Sequence, residues 1–341
     1  MYYRLEKNMK KLSKITESIW GDLHSRGIGE TVREEDIFSS IDDLADYICG
    51  QVEEGNDTLD LKNLYIEFDS LKDLFNITSK INEAVKNIKV IDVTGWNVSK
   101  VKNMSGVFSY MKFTNIIGLE TWDMSNVEDT SDMFLLCTYL QELDLEKWNM
   151  SKVTDISNMF YACEKLTNLK IGSWDVSNVE TMSNTFCGCK SLTEIHIENW
   201  VTSKVRTMYS MFAFCENLKS IDLNKWDVSN VVNMQDMFDL CEKITNLYIK
   251  DWKPKNVTSM KGMFHRCGNL EKVFIKDWTV DKLENAIEMF KDCYRLRFVD
   301  LSHWYTEREI IADQAMFKNT KTYWWSNNHQ FYNKFSKPYK P

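Results

Sequence analysis

The chain has 341 residues, 43% apolar and 27% charged, with a net charge of −8 at pH 7. That balance suits a folded chain with ample core material, and the acidic excess argues against nucleic acid as a general partner, because phosphate contacts need a basic face. No run of about 18 apolar residues occurs, so no membrane insertion is expected, and the only prolines, at 254, 338 and 341, leave no Pro-rich linker between large domains.

The opening MYYRLEKNMKKLSKI is charged from residue 4 and lacks the apolar stretch and cleavage site of a secretory signal. Neither end shows a lipidation signal, so the expectation is a chain without a readable export signal or anchor. Residues 1–57 read as a helical N-terminal segment. Helical spacing predicts helices over 8–27 and 38–49, the second capped by Ser39 or Ser40, with the polar GIGETVREED between them. Residues 58–87 contain LKNLYIEF (61–68), a strand block like those that follow but without their tryptophan, and read as an atypical capping repeat.

Residues 88–317 are periodic. Trp96, Trp122, Trp148, Trp174, Trp200, Trp226, Trp252, Trp278 and Trp304 follow one another at 26 residues without insertion or deletion. So strict a period belongs to a solenoid, in which each unit stacks in register on the next. Before each tryptophan the pattern approaches L-x-x-L-x-L-x-x-W, as in LQELDLEKW (140–148) and LKSIDLNKW (218–226), which suits a short strand with one buried face. After it, apolar residues come mainly in steps of three, as in Val231, Met234, Met237, Phe238, Cys241 and Ile244, which predicts a short helix or tight 3₁₀ turns. The serine three places past the tryptophan is the expected N-cap, with Ser125–Glu128 and Ser177–Glu180 as capping boxes. The fold class is therefore α/β: a leucine-rich-repeat solenoid with parallel strands on one face and short helices on the other.

Seven cysteines keep the same period, from Cys137 to Cys293, at a position that Met111 fills in the first copy. Metal ligands would come as close pairs, and FCGC (186–189) supplies only one, so these thiols read as small core hydrophobes and no metal or other cofactor is expected. The tryptophans read as core, each indole N–H being free to bond a turn carbonyl, rather than as a carbohydrate platform. Sequons such as Asn97-Val-Ser arise from the repeat itself. Motifs for metalloprotease, phosphate-loop or serine-hydrolase chemistry are lacking, and acids such as Asp123, Asp175 and Asp227 recur as scaffold positions. No catalytic residues are expected, and the reading is non-enzymatic.

Positions that vary between copies mark a surface. The outward strand positions read Asp92, Gly118, Asp144, Lys170, His196, Asp222, Tyr248, Phe274 and Asp300. Two places earlier they read Val90, Ile116, Glu142, Asn168, Glu194, Ser220, Asn246, Lys272 and Phe298. Tyr248, Phe274 and Phe298, expected to touch or nearly touch, with Lys272 and His196 nearby, are the candidate partner-binding residues. The tail, 318–341, has five lysines, no acid and seven aromatics; it either caps the array and covers those rings or reaches another chain.

The block W-[DN]-[VM]-S-[NK]-V-x-x-M-x-x-M-F-x-x-C-x-x-L, over about 88–317, resembles the repeats of BspA-like leucine-rich-repeat surface proteins, a repeat family also found in variable lipoproteins of mycoplasmas. The opening ITESIWGDLHSRGIGETVREED resembles the N-termini of members encoded by gut Bacteroidetes and their phages. The resemblance implies a binding or adhesion role through a protein partner, such as a host-surface protein. It leaves open a phage virion or host-attachment component and an intracellular interaction scaffold, and with them a virion, cytoplasmic or surface location. It carries no fixed set of functional residues.

Overall fold

The computed structural model describes residues 36–306 and 315–326. Over them the chain winds as a parallel β-solenoid of leucine-rich-repeat type, built from rungs only two or three residues wide. At the N-terminal end, Ile37–Phe38 (β1) pairs in parallel with Tyr65–Ile66 (β3). Between them lies the helix expected over 38–49, spanning Ile41–Gln51 (α1). Ser40 caps it, its hydroxyl accepting from the Asp43 amide at 3.2 Å. A second helix, Ser79–Val85 (α2), precedes the first full copy. The helix expected over 8–27, and with it the Bacteroidetes-like stretch up to residue 35, lies outside the described residues.

The sheet face is a ladder of parallel rungs. Thr58–Asp60 (β2), Val90–Asp92 (β4) and Asn115–Ile117 (β5) pair in that order. Glu142–Asp144 (β6) pairs with Asn168–Lys170 (β7), and Ser220–Asp222 (β8) with Asn246–Tyr248 (β9). Phe298–Asp300 (β10) pairs with Tyr323–Trp325 (β11). Each middle residue, such as Leu143, Leu169, Ile221 and Leu247, points inward and is buried, as period-2 alternation requires.

One register differs from expectation. Ile91 pairs with Ile116, so Ile116 is buried, while Ile117 rather than Gly118 faces out. Gly118 takes φ 93° as a bulge, and a Cβ there would meet the Thr94 backbone at 2.3 Å. The chain regains its phase by Trp122.

The tryptophans are core. Every indole in the array donates to the carbonyl 29 residues earlier, three places before the preceding tryptophan: Trp148 to Leu119 at 2.7 Å, Trp226 to Ile197 at 3.0 Å, Trp304 to Ile275 at 2.7 Å. The rings stack along the axis, Trp148 on Trp174 at 6.2 Å and Trp174 on Trp200 at 6.0 Å. A second stack runs beside it from Phe75 through Phe108 and Phe134 to Phe290 and Phe317, with neighbours 5.3–5.8 Å apart. The cysteine thiols donate in the same sense, Cys137 to Phe108 at 2.9 Å and Cys241 to Phe212 at 3.1 Å.

The steps of three after each tryptophan are kept by consecutive tight turns, not by an α-helix. In the first copy, the amides of Met104, Gly106, Phe108 and Tyr110 donate to the carbonyls of Asp129, Ser131, Met133 and Leu135 in the next copy, at 2.7–2.9 Å. An α-helix would have spent those amides within its own turn. Two left-handed residues per copy make this possible. The first column includes Asp132, Asn158, Asn184 and Asp236, the second Leu136, Ala162, Phe214 and Leu240, all at φ between 54° and 60°. Asn and Asp tolerate that conformation, whereas Leu and Phe adopt it at a cost.

The expected capping boxes are also replaced. The Asp or Asn beside each tryptophan accepts from the serine amide, as in Asp123 from Ser125 at 3.0 Å and Asn149 from Ser151 at 3.1 Å. These are Asx turns, suited to a turn rather than to a helix start. The hydroxyl and amide of Ser177 hold Asp175 below the usual carboxylate range. Glu128 and Glu180 lie near Lys102 and Arg206 instead of returning to their serines.

The start of the tail continues the ladder. Tyr323 pairs with Phe298, and Trp324 is buried against Phe317 at 6.0 Å. It adds a rung beside the outward rings instead of lying across them. Residues 327–341 lie outside the described residues.

Two outcomes follow. Trp226→Phe keeps a ring but orphans the buried Ile197 carbonyl, so urea unfolding should show a loss of about 1–2 kcal/mol. Trp226→Ala should cost about 3–5 kcal/mol; equal losses would mean that the hydrogen bond contributes nothing. Burial raises Asp236 above its usual range. A raised folded-state value means that the charged form burdens the fold above that value and that the burden vanishes below the unfolded one. Asp236→Asn should therefore raise the melting temperature at neutral pH, with the gain shrinking as pH falls through the carboxylate range.

Candidate functional site

Tyr248 on β9 and Phe274 one rung later share one outward row, 26 residues apart. Phe298 on β10 sits in the other row, bridged to Lys272. All three rings are exposed, at 49%, 62% and 44%. They form no stacked pair: ring contacts among the described residues run along the inner ladders. The expected contact is corrected by the register, which sets Phe298 diagonally across from Phe274.

Phe274 and Phe298, with the backbone from Val273 to Ile275, line a groove of about 480 Å³ whose rim carries Lys250, Lys272, Lys276, Arg297, Asp277 and Asp300. Tyr248 stands beside it and contributes no wall. His196 is not brought to it: it lies two rungs before Tyr248, about 10 Å along the ladder, with Asp222 between. Tyr323, 61% exposed and paired with Phe298, lines an adjoining groove of about 610 Å³ with Tyr294, Arg295, Arg297 and Lys321.

The charge pattern of the rim is uneven. Asp300 is paired with Lys276 at 3.4 Å, and Asp277 with His303 at 2.7 Å. Among the described residues, Lys250, Lys272 and Arg297 have no ion-pair partner. The earlier rungs present Asp92, Glu142, Asp144, Glu194 and Asp222, with Lys170 paired to Asp144 at 2.8 Å. The reversal was visible two places before each tryptophan, where Glu120, Glu146 and Glu198 give way to Lys250 and Lys276. Arg297 and Tyr323 carry no such signal, since their place depends on register at the irregular end.

The periodic cysteines offer no metal array. Each thiol is spent on a phenylalanine carbonyl, and burial pushes Cys137 and Cys293 up to about 12. Cys187 of the FCGC pair is also pushed to about 12 by burial. No group of three or more His, Cys, Asp or Glu suited to a metal occurs among the described residues.

A family model described as "Mycoplasma protein of unknown function, DUF285" matches residues 69–170, 165–247 and 241–335, most of the chain. The chain belongs to this DUF285 family. The match meets the mycoplasma side of the resemblance drawn from the repeat block. Comparison with curated proteins finds no match. Similar solved structures include the Toll–Spatzle complex of Drosophila, at 12% identity and TM-score 0.31, covering 81% of this chain and 37% of that one. A leucine-rich-repeat protein of Leptospira interrogans matches at 11% identity and TM-score 0.21, covering 84% and 81%. A complex of TLR13 with single-stranded RNA matches at 11% and 0.23, covering 83% and 55%. The chain thus spans 37% of the Toll-complex chain and 55% of the TLR13 chain. At these TM-scores none of the likenesses indicates what this DUF285 member binds.

The thiol geometry sets a reactivity order. In native protein, iodoacetamide should modify half-buried Cys49 first and leave the eight buried cysteines intact until unfolding. Mass spectrometry of the adducts checks this; early labelling of Cys187 would return FCGC to consideration as a reactive pair.

Proposed function

We propose that the chain is a non-catalytic binding protein that holds a protein partner on the C-terminal third of its strand face. The observation that carries this reading is the exposure of Tyr248, Phe274 and Phe298 on a face whose earlier rungs are mostly polar. Exposed aromatics on a rigid sheet give large contact area at little ordering cost, the usual make-up of an interface hot spot. Lys272 lies within this area, and His196 is an outlying contact for a partner extending along the ladder. Repetition argues in the same direction: the polar groups that recur in the described copies serve stacking and turns. The likeness of the repeat block to BspA-like surface proteins supports an adhesion-type role.

A photo-crosslinking amino acid at position 274 should capture a partner protein from the organism that makes the chain, while the same group at position 92 should not. Tyr248→Ser/Phe274→Ser/Phe298→Ser should lose that partner with an unchanged melting temperature. Equal capture at both positions, or binding that survives the triple change, would sink the proposal.

A further inference from the structure

Resting on that reading of the face, we propose that the groove receives an acidic segment of the partner, with an apolar side chain seated between Phe274 and Phe298 and carboxylates meeting Lys250, Lys272 and Arg297. The groove is apolar at its floor and cationic at its rim, and the rim's two acids already have partners, Asp300 with Lys276 at 3.4 Å and Asp277 with His303 at 2.7 Å. The three uncommitted cations therefore give it a positive surplus in a chain whose net charge is −8. Arg297 can meet a carboxylate through two parallel N–H donors, which adds direction as well as attraction.

Other occupants match less well. A second copy packed groove to groove would set these cations against their own kind. Residues 327–341 of the chain carry three lysines and no acid, so the tail is a poor charge match. A nucleic-acid strand needs a continuous cationic track. The basic stretch here covers about three rungs, roughly 14 Å, and meets Asp222 on the row of Tyr248 and Phe274. An acidic protein segment fits within that length.

The test uses the full chain and three probes: a synthetic peptide of alternating glutamate and phenylalanine, its lysine–phenylalanine counterpart, and oligothymidylate. The acidic peptide should bind tightest and weaken as salt is raised. Lys250→Glu/Lys272→Glu/Arg297→Glu should weaken it by about tenfold or more, with an unchanged melting temperature. Tighter binding of either other probe, binding indifferent to the charge reversal, or no binding of the acidic peptide would overturn the inference. So would self-association in sedimentation that the charge reversal abolishes, which would make the occupant the acidic strand face of a second copy. The binding-face reading is judged separately, by the crosslink at position 274: it stands if that succeeds while the acidic peptide fails, and falls if the crosslink fails too.

Discussion

Backbone amides on the turn side of each copy donate to the next copy rather than to their own, and the rest of the architecture depends on that. Met104, Gly106, Phe108 and Tyr110 all reach carbonyls 25 residues ahead, while Trp148 and Cys137 reach back 29 residues on the inside. A single copy held alone would expose these groups to water, with no helix to satisfy them. Stability is therefore a property of neighbouring pairs of copies, as expected of a one-dimensional array. The cost of holding Leu136, Phe214 and Leu240 in left-handed backbone is offset across the same interface, because those conformations aim alternate amides along the axis.

Much of this was legible from spacing. The 26-residue tryptophan period led to a solenoid, and the L-x-x-L-x-L-x-x-W block led to inward and outward strand positions that hold for most copies. The turn side was harder. Steps of three fit a helical face and a run of tight turns equally well, and the left-handed positions that separate the two are partly hidden. Asp132, Asn158 and Asn184 are residues that favour such backbone, but Leu136 and Phe214 are not, and no local signal marks them. Ser125 has the composition of an N-cap, yet Asp123 one turn earlier takes the capping role, because the chain bends there instead of coiling. The bulge at Gly118 was concealed for a related reason: two adjacent isoleucines, Ile116 and Ile117, make either register plausible.

The candidate site was legible in part. Tyr248, Phe274 and Phe298 were picked out as outward rings, and all are exposed. Which of them share a groove depended on the two rows of the ladder, a distinction that places Phe298 across from Phe274 and leaves Tyr248 at the side. The cationic rim was open to reading from Lys250 and Lys276, since both occupy a position that is acidic in earlier copies. Arg297 and Tyr323 belong to the irregular end, where the period lapses and neighbourhood cannot be counted from sequence.

The bulge at Gly118 behaves as a dislocation in a lattice. Ile91 to Ile116 is one residue short of the period, Ile116 to Leu143 is one residue long, and the phase is restored by the next rung. The array thus absorbs a slip only if its opposite follows at once, and a lasting change of length must come in whole copies. Gain or loss of a copy would move the aromatic, basic end against the N-terminal helix in increments of one rung, about 4.8 Å. The solenoid is in this sense a ruler with fixed graduations, and the distance between its two ends is a quantity that evolution can alter only by counting.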